Sequence, residues 1–286
     1  MWMQILTSAG FSYIGTPYMK TWEESIKKAN PKGFFESPLR KGVFYATNPN
    51  PKTGAFLHPK QVERHVLKVF IPGLVRTDYA YIQRVVGTIR PWREYCSSIR
   101  RLYALEDSYL ENKPQKAEEP LSPIEMARIR RPAMHPALEW WRENYDLIRD
   151  FATRRYAFNL VSYLKLLEDP EGVVVPVLKW CGAPDIEKGL AEVERSLRTQ
   201  KQVVIDDSPL TAEQEMLFDE FHDFFFRQDP LSGSFIDKLN GINSVLAPII
   251  EEESRRGMKR MRDVLMNAGL LEHEAEKTLE KAQEEG

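Results

Sequence analysis

Cysteine is scarce in this chain: its 286 residues include only two, Cys96 and Cys181. The two lie far apart in the sequence, and neither belongs to a Cys-x-x-Cys pair. This scarcity excludes a small scaffold held by disulfides and a zinc site built from four thiolates. It also favours a reducing compartment, and we therefore expect a cytoplasmic protein.

Long apolar runs and an excess of one charge are lacking as well. No stretch approaches the roughly 20 apolar residues that a membrane-spanning helix needs, and the N-terminus lacks the basic and apolar segments of a signal peptide. The 40 Lys and Arg residues and the 42 Asp and Glu residues leave a net charge of -2. No broad basic surface is therefore available for nucleic acid, and any anion-binding site must be local. We expect an enzyme or a binding domain.

What the chain does contain is a regular alternation of two kinds of segment. Apolar residues make up 42% of the chain, which is enough for a sizeable core. Short apolar segments, several rich in β-branched residues, predict strands at residues 67–72, 84–90 and 158–163. Longer amphipathic segments predict helices at residues 92–110, 136–153 and 170–180. The alternation predicts an α/β fold in which helices flank a parallel sheet.

The remaining segments predict further helices and loops. We expect a helix at the N-terminus that ends at Gly10, helices at residues 21–29, 59–65 and 77–83, the last with Thr77 as N-cap, and mainly helices from Thr211 onward. Clusters of Pro, Asn and Gly or of polar residues predict loops at 47–54 and 112–123.

The same patterns predict two domains. Residues 1–205 form the α/β domain, and residues 206–286 form a helical C-terminal extension. The sequence leaves open whether this extension packs on the α/β core or forms an appendage.

The segment VVGTIRPWREYCSSIRR carries the clearest candidate site. A strand delivers Arg90 to a tight turn, and a helix that contains Ser98 begins within a few residues. Ligands of open parallel sheets bind at the carboxyl ends of the strands, where a planar guanidinium suits a phosphate or sulfate. Arg90 and Ser98 are therefore candidate anion-binding residues; the alternative is that Arg90 pairs with a core carboxylate.

Five segments, taken in order, resemble the sulfotransferase family. RPWREYCSSIRRL is similar to its 3′-phosphate-binding segment, NPKGFFES to a segment of many bacterial members, and KVFIPGL to its Lys-x-x-x-Pro strand end. VSYLKLLEDPEGVVVPVLKWCG and ERSLRTQK resemble the segments that follow in the family. The resemblance implies a fold of P-loop nucleotide-hydrolase type. It also implies transfer of a sulfuryl group from the co-substrate 3′-phosphoadenosine 5′-phosphosulfate to a hydroxyl or amine of a small-molecule or glycan acceptor, without a metal.

The resemblance also implies roles for individual residues. Arg90 and Ser98 would bind the 3′-phosphate, Arg198 would reach a nucleotide phosphate, and Lys68 would stabilise the bridging oxygen. Phe70 stands where one branch of the family has a catalytic His, so Glu36 is the candidate base. Apolar neighbours would raise the pKa of its carboxyl, as suits a general base. The alternatives are a surface position for each of Glu36, Lys68 and Arg198.

The chain departs from the family at its start. There the family has a strand and a phosphate-cradling loop, whereas MWMQILTSAGF resembles the helix that follows that loop. The loop is expected either in an upstream stretch or to be missing from a truncated relative. Two other functions stay open: a non-catalytic sulfotransferase-like domain that binds or interacts, and an ATP-dependent phosphotransferase, which the lack of a GxxxxGK[ST] segment disfavours.

Overall fold

The computed structural model describes residues 1–18, 32–111, 134–198, 203–267, 269–270, 273–277 and 279. The chain divides into two compact units. The first unit comprises Met1–Glu94, Glu143–Val203 and Leu210–Pro230, and the second comprises Tyr95–Arg142, Val204–Pro209 and Leu231–Gly286. The domain boundary predicted near residue 205 stays a prediction.

The described elements are helices joined by short strands. The α-helices are α1 (Trp2–Ser8), α2 (Ile71–Arg76), α3 (Trp92–Glu111), α4 (Pro136–Arg154), α5 (Tyr163–Glu168), α6 (Pro170–Cys181), α7 (Ile186–Ala191), α8 (Ala212–Phe226) and α9 (Gly233–Asn267). The strands are β1 (Ser12–Tyr13), β2 (His65–Val66), β3 (Arg84–Ile89) and β4 (Ala157–Ser162). Short 3₁₀ turns occupy Pro38–Lys41, Pro59–Val62, Tyr79–Tyr81 and Arg195–Leu197.

The strands of the first unit form two parallel pairs. β1 pairs with β2, and β3 pairs with β4 in a register that runs from Arg84 opposite Ala157 to Ile89 opposite Ser162. Parallel strands joined through helices confirm the mixed α/β class predicted from the sequence. In the described ranges, no helix has the length and apolar character that crossing a membrane requires.

The core of the first unit lies where α1 and α6 pack near the end of β4. Ile5 of α1 and Leu178 of α6 are completely buried, and Val161 of β4 joins the same cluster. α6 ends at Gly182, whose left-handed backbone (φ 72°) closes the last helical turn. This packing fixes the first turn of α1 against the carboxyl end of β4.

The second unit contains much of α3 and α4 together with α9. Trp140 and Trp141 of α4 are both buried, and Trp141 Nε1 donates a hydrogen bond to Asn243 Oδ1 of α9 at 3.1 Å. Asp207 accepts from the guanidinium of Arg100, beside His135. The packing of this unit is therefore largely helical.

The structure confirms most predicted elements and corrects three. The strands at 84–90 and 158–163, the four longest helices and the loop at 47–54 are as predicted. The strand predicted at 67–72 is wrong: the strand is His65–Val66, and Ile71–Arg76 is helical. Pro72 occupies the first turn of that helix, where its missing N–H costs nothing, instead of ending a strand.

The helix predicted at 77–83 is also wrong. Thr77 ends α2, and its hydroxyl donates to Gly73 O and accepts from Val43 N. Only the turn Tyr79–Tyr81 follows, and Asp78 is its cap. The helix predicted at 59–65 is wrong as well, because this segment contains the 3₁₀ turn Pro59–Val62 and then β2. The predictions for 21–29 and 112–123 lie outside the described residues.

Candidate active site

A cavity of about 250 Å³ lies at the carboxyl ends of β3 and β4 in the first unit. Thr88 and Arg90 line it from the end of β3, and Tyr163 lines it from the residue after β4. Lys68, which follows β2, contributes a second cation. Two basic side chains predicted from separate segments of the sequence therefore line one cavity.

Arg90 is held against an aromatic ring. Its guanidinium carbon lies 4.3 Å from the ring centroid of Tyr163, a close cation–π contact. Burial raises the pKa of the Tyr163 phenol, and the positive charge of Arg90 opposes this shift. The contact gives the guanidinium a defined position at the edge of the sheet.

Lys68 is anchored by two acceptors. Its Nζ donates to the backbone oxygen of Phe34 at 3.1 Å and to Oε1 of Glu36 at 2.5 Å. An ammonium group carries three N–H donors, so one remains for a ligand in the cavity. Lys68 is thus positioned by the protein without being saturated by it.

Glu36 lies next to the cavity, in contact with Lys68. Glu36 is only 8% exposed, and its second carboxylate oxygen, Oε2, accepts a hydrogen bond from the guanidinium of Arg40 at 3.0 Å. Apolar neighbours were predicted around this carboxyl from the sequence, but two cations, Lys68 and Arg40, contact it directly. Its role as a base stays a prediction.

Two glycines fix Arg40 beside Lys68. Gly42 has a φ of 102°, a backbone conformation that L side chains rarely adopt, and it packs against the backbone of Gly73 in α2. A Cβ atom on Gly73 would lie 2.6 Å from Gly42 N and 2.8 Å from Arg40 O. This close approach needs glycine at both positions, and it positions the turn that carries Arg40.

Arg198 lies in the same polar region as Arg90. Its guanidinium donates to Oε1 of the buried Glu94 at 2.5 Å. Burial raises the pKa of Tyr163, the charges of Arg90 and Arg198 lower it, and the charge of Glu94 raises it. Ser98 lies on α3 and belongs to the second unit, so its predicted role stays a prediction.

Three side chains of the site were not predicted from the sequence: Arg40, Glu94 and Tyr163. Tyr163 could have been found from its position, because it is the last residue of a predicted strand, as Arg90 is of another, and the two strands pair in parallel. Glu94 lies on the first turn of the helix after Arg90, but its ion pair with Arg198 joins residues far apart in the sequence. Such a long-range pair leaves no local signal.

Ser162, the residue before Tyr163, makes a buried contact with a histidine. The distance between Ser162 Oγ and His222 Nε2 is 3.1 Å, and both residues are buried. Burial lowers the pKa of His222, and Asp223 opposes the shift. Since Ser162 also caps α5 by accepting from Lys165 N, this contact joins α8 to the strand end and has no access to a substrate.

Within the described part of the chain, no group of three or more His, Cys, Asp and Glu side chains is arranged to hold a metal ion. No family model, curated protein or solved structure matches the chain.

Proposed function

We propose that this protein transfers a sulfuryl group from 3′-phosphoadenosine 5′-phosphosulfate to a hydroxyl or amine, on a fold of P-loop nucleotide-hydrolase type. The observation that carries the proposal is that Lys68 and Arg90, each beyond the end of a parallel strand, line one cavity. Carboxyl ends of parallel strands are the usual ligand-binding edge of such sheets. Two cations at this edge suit a ligand with two separate anionic groups.

Sulfuryl transfer needs little covalent chemistry from the protein. The acceptor oxygen or nitrogen forms a bond to sulfur while the bond between sulfur and the bridging phosphate oxygen breaks. The electron pair of the broken bond leaves with adenosine 3′,5′-bisphosphate, and the acceptor loses its proton. As in phosphoryl transfer, catalysis then rests on positioning and on cations that stabilise the leaving group.

Lys68 and Glu36 divide these tasks in the proposal. The remaining N–H of Lys68 would meet the bridging oxygen, where negative charge develops. As Lys68 turns toward this oxygen, its hydrogen bond to Glu36 Oε1 weakens, and that oxygen becomes available for the acceptor's proton. Lys68 Nζ and Glu36 Oε1 are 2.5 Å apart. In the proposal, binding of the donor to Lys68 therefore also frees Glu36 to act as the base.

Arg90 would bind the 3′-phosphate of the donor, assisted by Arg198. Its guanidinium offers a planar pair of donors to phosphate oxygens. The ring of Tyr163, 4.3 Å from the guanidinium carbon, limits the orientations that Arg90 can adopt. A fixed guanidinium favours a nucleotide that carries the 3′-phosphate over one that lacks it.

A thermal-shift titration with adenosine 3′,5′-bisphosphate tests the proposal. At a hundred times its dissociation constant, the nucleotide should raise Tm by about 5–10 °C, whereas AMP and ADP should raise it much less. Arg90→Ala should abolish the difference. Arg84→Ala is the matched control, since Arg84 is an exposed arginine at the opposite end of the same strand.

The outcomes separate the candidate functions. No shift with any nucleotide contradicts the proposal. A shift that needs the 3′-phosphate and Arg90, without transfer from the sulfuryl donor to any acceptor, would support the non-catalytic alternative instead.

A further inference from the structure

One polar side chain in the buried face of α1 is only half satisfied. Gln4 lies beside Ile5 and Leu6 of the core, and its residue is only 7% exposed. Its amide nitrogen Nε2 donates to Gly33 O at 3.2 Å and to Lys32 O at 3.4 Å. Its amide oxygen Oε1 is buried and accepts no hydrogen bond from the described residues.

The orientation of this amide is fixed by its partners. Two carbonyl oxygens can accept only from the NH₂ group, so exchanging oxygen and nitrogen would set Oε1 against both carbonyls. Oε1 is therefore the atom left over. Buried side-chain oxygens are nearly always hydrogen-bonded, and each exception calls for an explanation.

The cavity offers that explanation, because Gln4 lines it together with Lys68 and Arg90. The indole nitrogen of Trp2, another lining residue, is also buried and has no partner among the described residues. Among the described residues, the cavity wall thus contains, besides Lys68 and Arg90, a buried acceptor and a buried donor that have no partner. A purely anionic ligand could satisfy the cations and the indole N–H, but not the amide oxygen.

We infer that the cavity binds an anion that also carries a hydroxyl or amine, and that Gln4 Oε1 accepts a hydrogen bond from this group. The inference rests on the proposed function for the identity of the anion, and on Gln4 for the additional group. The hydroxyl or amine belongs either to the ribose of the nucleotide or to the acceptor. Gln4 is then a specificity-determining residue of the site.

Matched ligands test the inference without a nucleotide. The probes are ω-hydroxyalkanesulfonates of two to four carbons and the parent alkanesulfonates, with binding to the full chain followed by ligand-observed NMR. The wild-type protein should bind the best hydroxylated probe about 3- to 10-fold more tightly than its parent, as one neutral hydrogen bond would produce. A loss of structure would weaken both members of a pair alike.

Two variants separate the acceptor from its structural role. Gln4→Met and Gln4→Glu both lose the hydrogen bonds to Gly33 and Lys32, but only Gln4→Glu keeps an acceptor oxygen. The preference for the hydroxylated probe should vanish in Gln4→Met and persist in Gln4→Glu. If neither variant folds, the comparison of paired ligands on the wild-type protein still decides.

A second arm identifies the source of the hydroxyl. Adenosine 3′,5′-bisphosphate is compared with its 2′-deoxy analogue on the wild-type protein and on Gln4→Met. A preference for the ribose form that Gln4→Met removes assigns the hydrogen bond to the nucleotide. A preference seen only with the sulfonates assigns it to the acceptor.

The two hypotheses fail in different ways. Nucleotide binding without any hydroxyl preference in either arm overturns the role of Gln4 and leaves the proposed function standing. A hydroxyl preference among the sulfonates with no nucleotide binding overturns the proposed function and leaves the role of Gln4 standing. Equal binding of every paired probe overturns the inference.

Discussion

At the scale of single residues, the proposed chemistry depends on the ion pairs of Glu36. Glu36 accepts from Lys68 and Arg40, and it is more buried than either partner. An arrangement of this kind holds a lysine at a cavity wall and keeps a carboxylate beside it. In the proposed reaction, Lys68 moves toward the donor and stabilises the leaving group, while Glu36 accepts the proton.

Replacing Glu36 with Gln should separate catalysis from binding. The amide cannot accept a proton, so turnover should fall by about 10²–10⁴-fold, while the affinity for adenosine 3′,5′-bisphosphate stays the same. The loss of the negative charge between Lys68 and Arg40 should lower the free energy of unfolding by about 1–3 kcal/mol. Single-turnover transfer assays and urea denaturation measure the two effects.

The control for this variant is Glu63→Gln, which removes an exposed carboxylate of the same unit. It should leave both transfer and stability unchanged. Full activity in Glu36→Gln would exclude Glu36 as the base and leave it a purely structural partner of Lys68.

His222 should make the stability of the protein depend on pH. Burial lowers its pKa below the ordinary value of 6.5, so below pH 6.5 the unfolded chain binds a proton that the folded chain does not. The free energy of unfolding should therefore decrease as the pH falls from 7 through about 6.5 toward the folded pKa. Urea denaturation at several pH values should show this slope.

His222→Gln should flatten the slope, because glutamine does not titrate. The pKa of His135 is also lowered by burial and contributes a slope of the same sign, so the difference between wild type and variant isolates His222. An identical slope in both proteins would contradict the assignment.

The two cysteines should differ in reactivity. Cys96 is completely buried, and burial raises the pKa of its thiol to about 12. Cys181 is only half-buried, and burial raises the pKa of its thiol as well. Because the thiolate is the nucleophile, Ellman's reagent at pH 8 should label Cys181 slowly and Cys96 only in denaturant. Equal rates in the native protein would contradict this prediction.

At the scale of elements, the site depends on how closely α2 approaches the turn at Pro38–Lys41. Gly73→Ala would place a methyl group against the backbone of Gly42 and Arg40. We expect the free energy of unfolding to fall by about 1–3 kcal/mol, as for other overpacked sites. The displaced turn should also weaken the contact between Arg40 and Glu36.

The matched substitution is Gly241→Ala, since Gly241 is also helical and a Cβ there meets no atom within 4 Å. Neither glycine has a positive φ, so the two variants differ in the clash and not in backbone strain. A Gly73→Ala variant as stable as Gly241→Ala would show that the close approach is unimportant.

Elements with a strong local signal were predictable from the sequence. β3 and β4 are continuous runs rich in β-branched and aromatic residues, and α8 begins with a capping box at Thr211. The segment at 67–72 failed because apolar composition alone does not say whether a partner strand exists. Pro72 fits a helix start as well as a strand end, and only tertiary packing decides between them.

At the scale of the whole molecule, the sequence predicted two residues that line the cavity, but not the contacts that position them. Arg90 was identified from its place at the end of a predicted strand, and Lys68 through the resemblance to the sulfotransferase family. The contacts that position them, from Tyr163 and Arg40, depend on the packing of distant segments. The half-satisfied amide of Gln4 was also beyond sequence reasoning, since its meaning depends on which atoms it contacts.

The most direct measurement for the central claim is the difference in affinity between adenosine 3′,5′-bisphosphate and AMP, measured by titration calorimetry. The two ligands differ only in the 3′-phosphate, so their ratio reports the site assigned to Arg90. We predict at least 10-fold tighter binding of the bisphosphate, a ratio that stays in Arg84→Ala and falls to about one in Arg90→Ala, as expected for a charge-assisted contact. Equal affinities in the wild-type protein, or a ratio that Arg90→Ala leaves intact, would contradict the account.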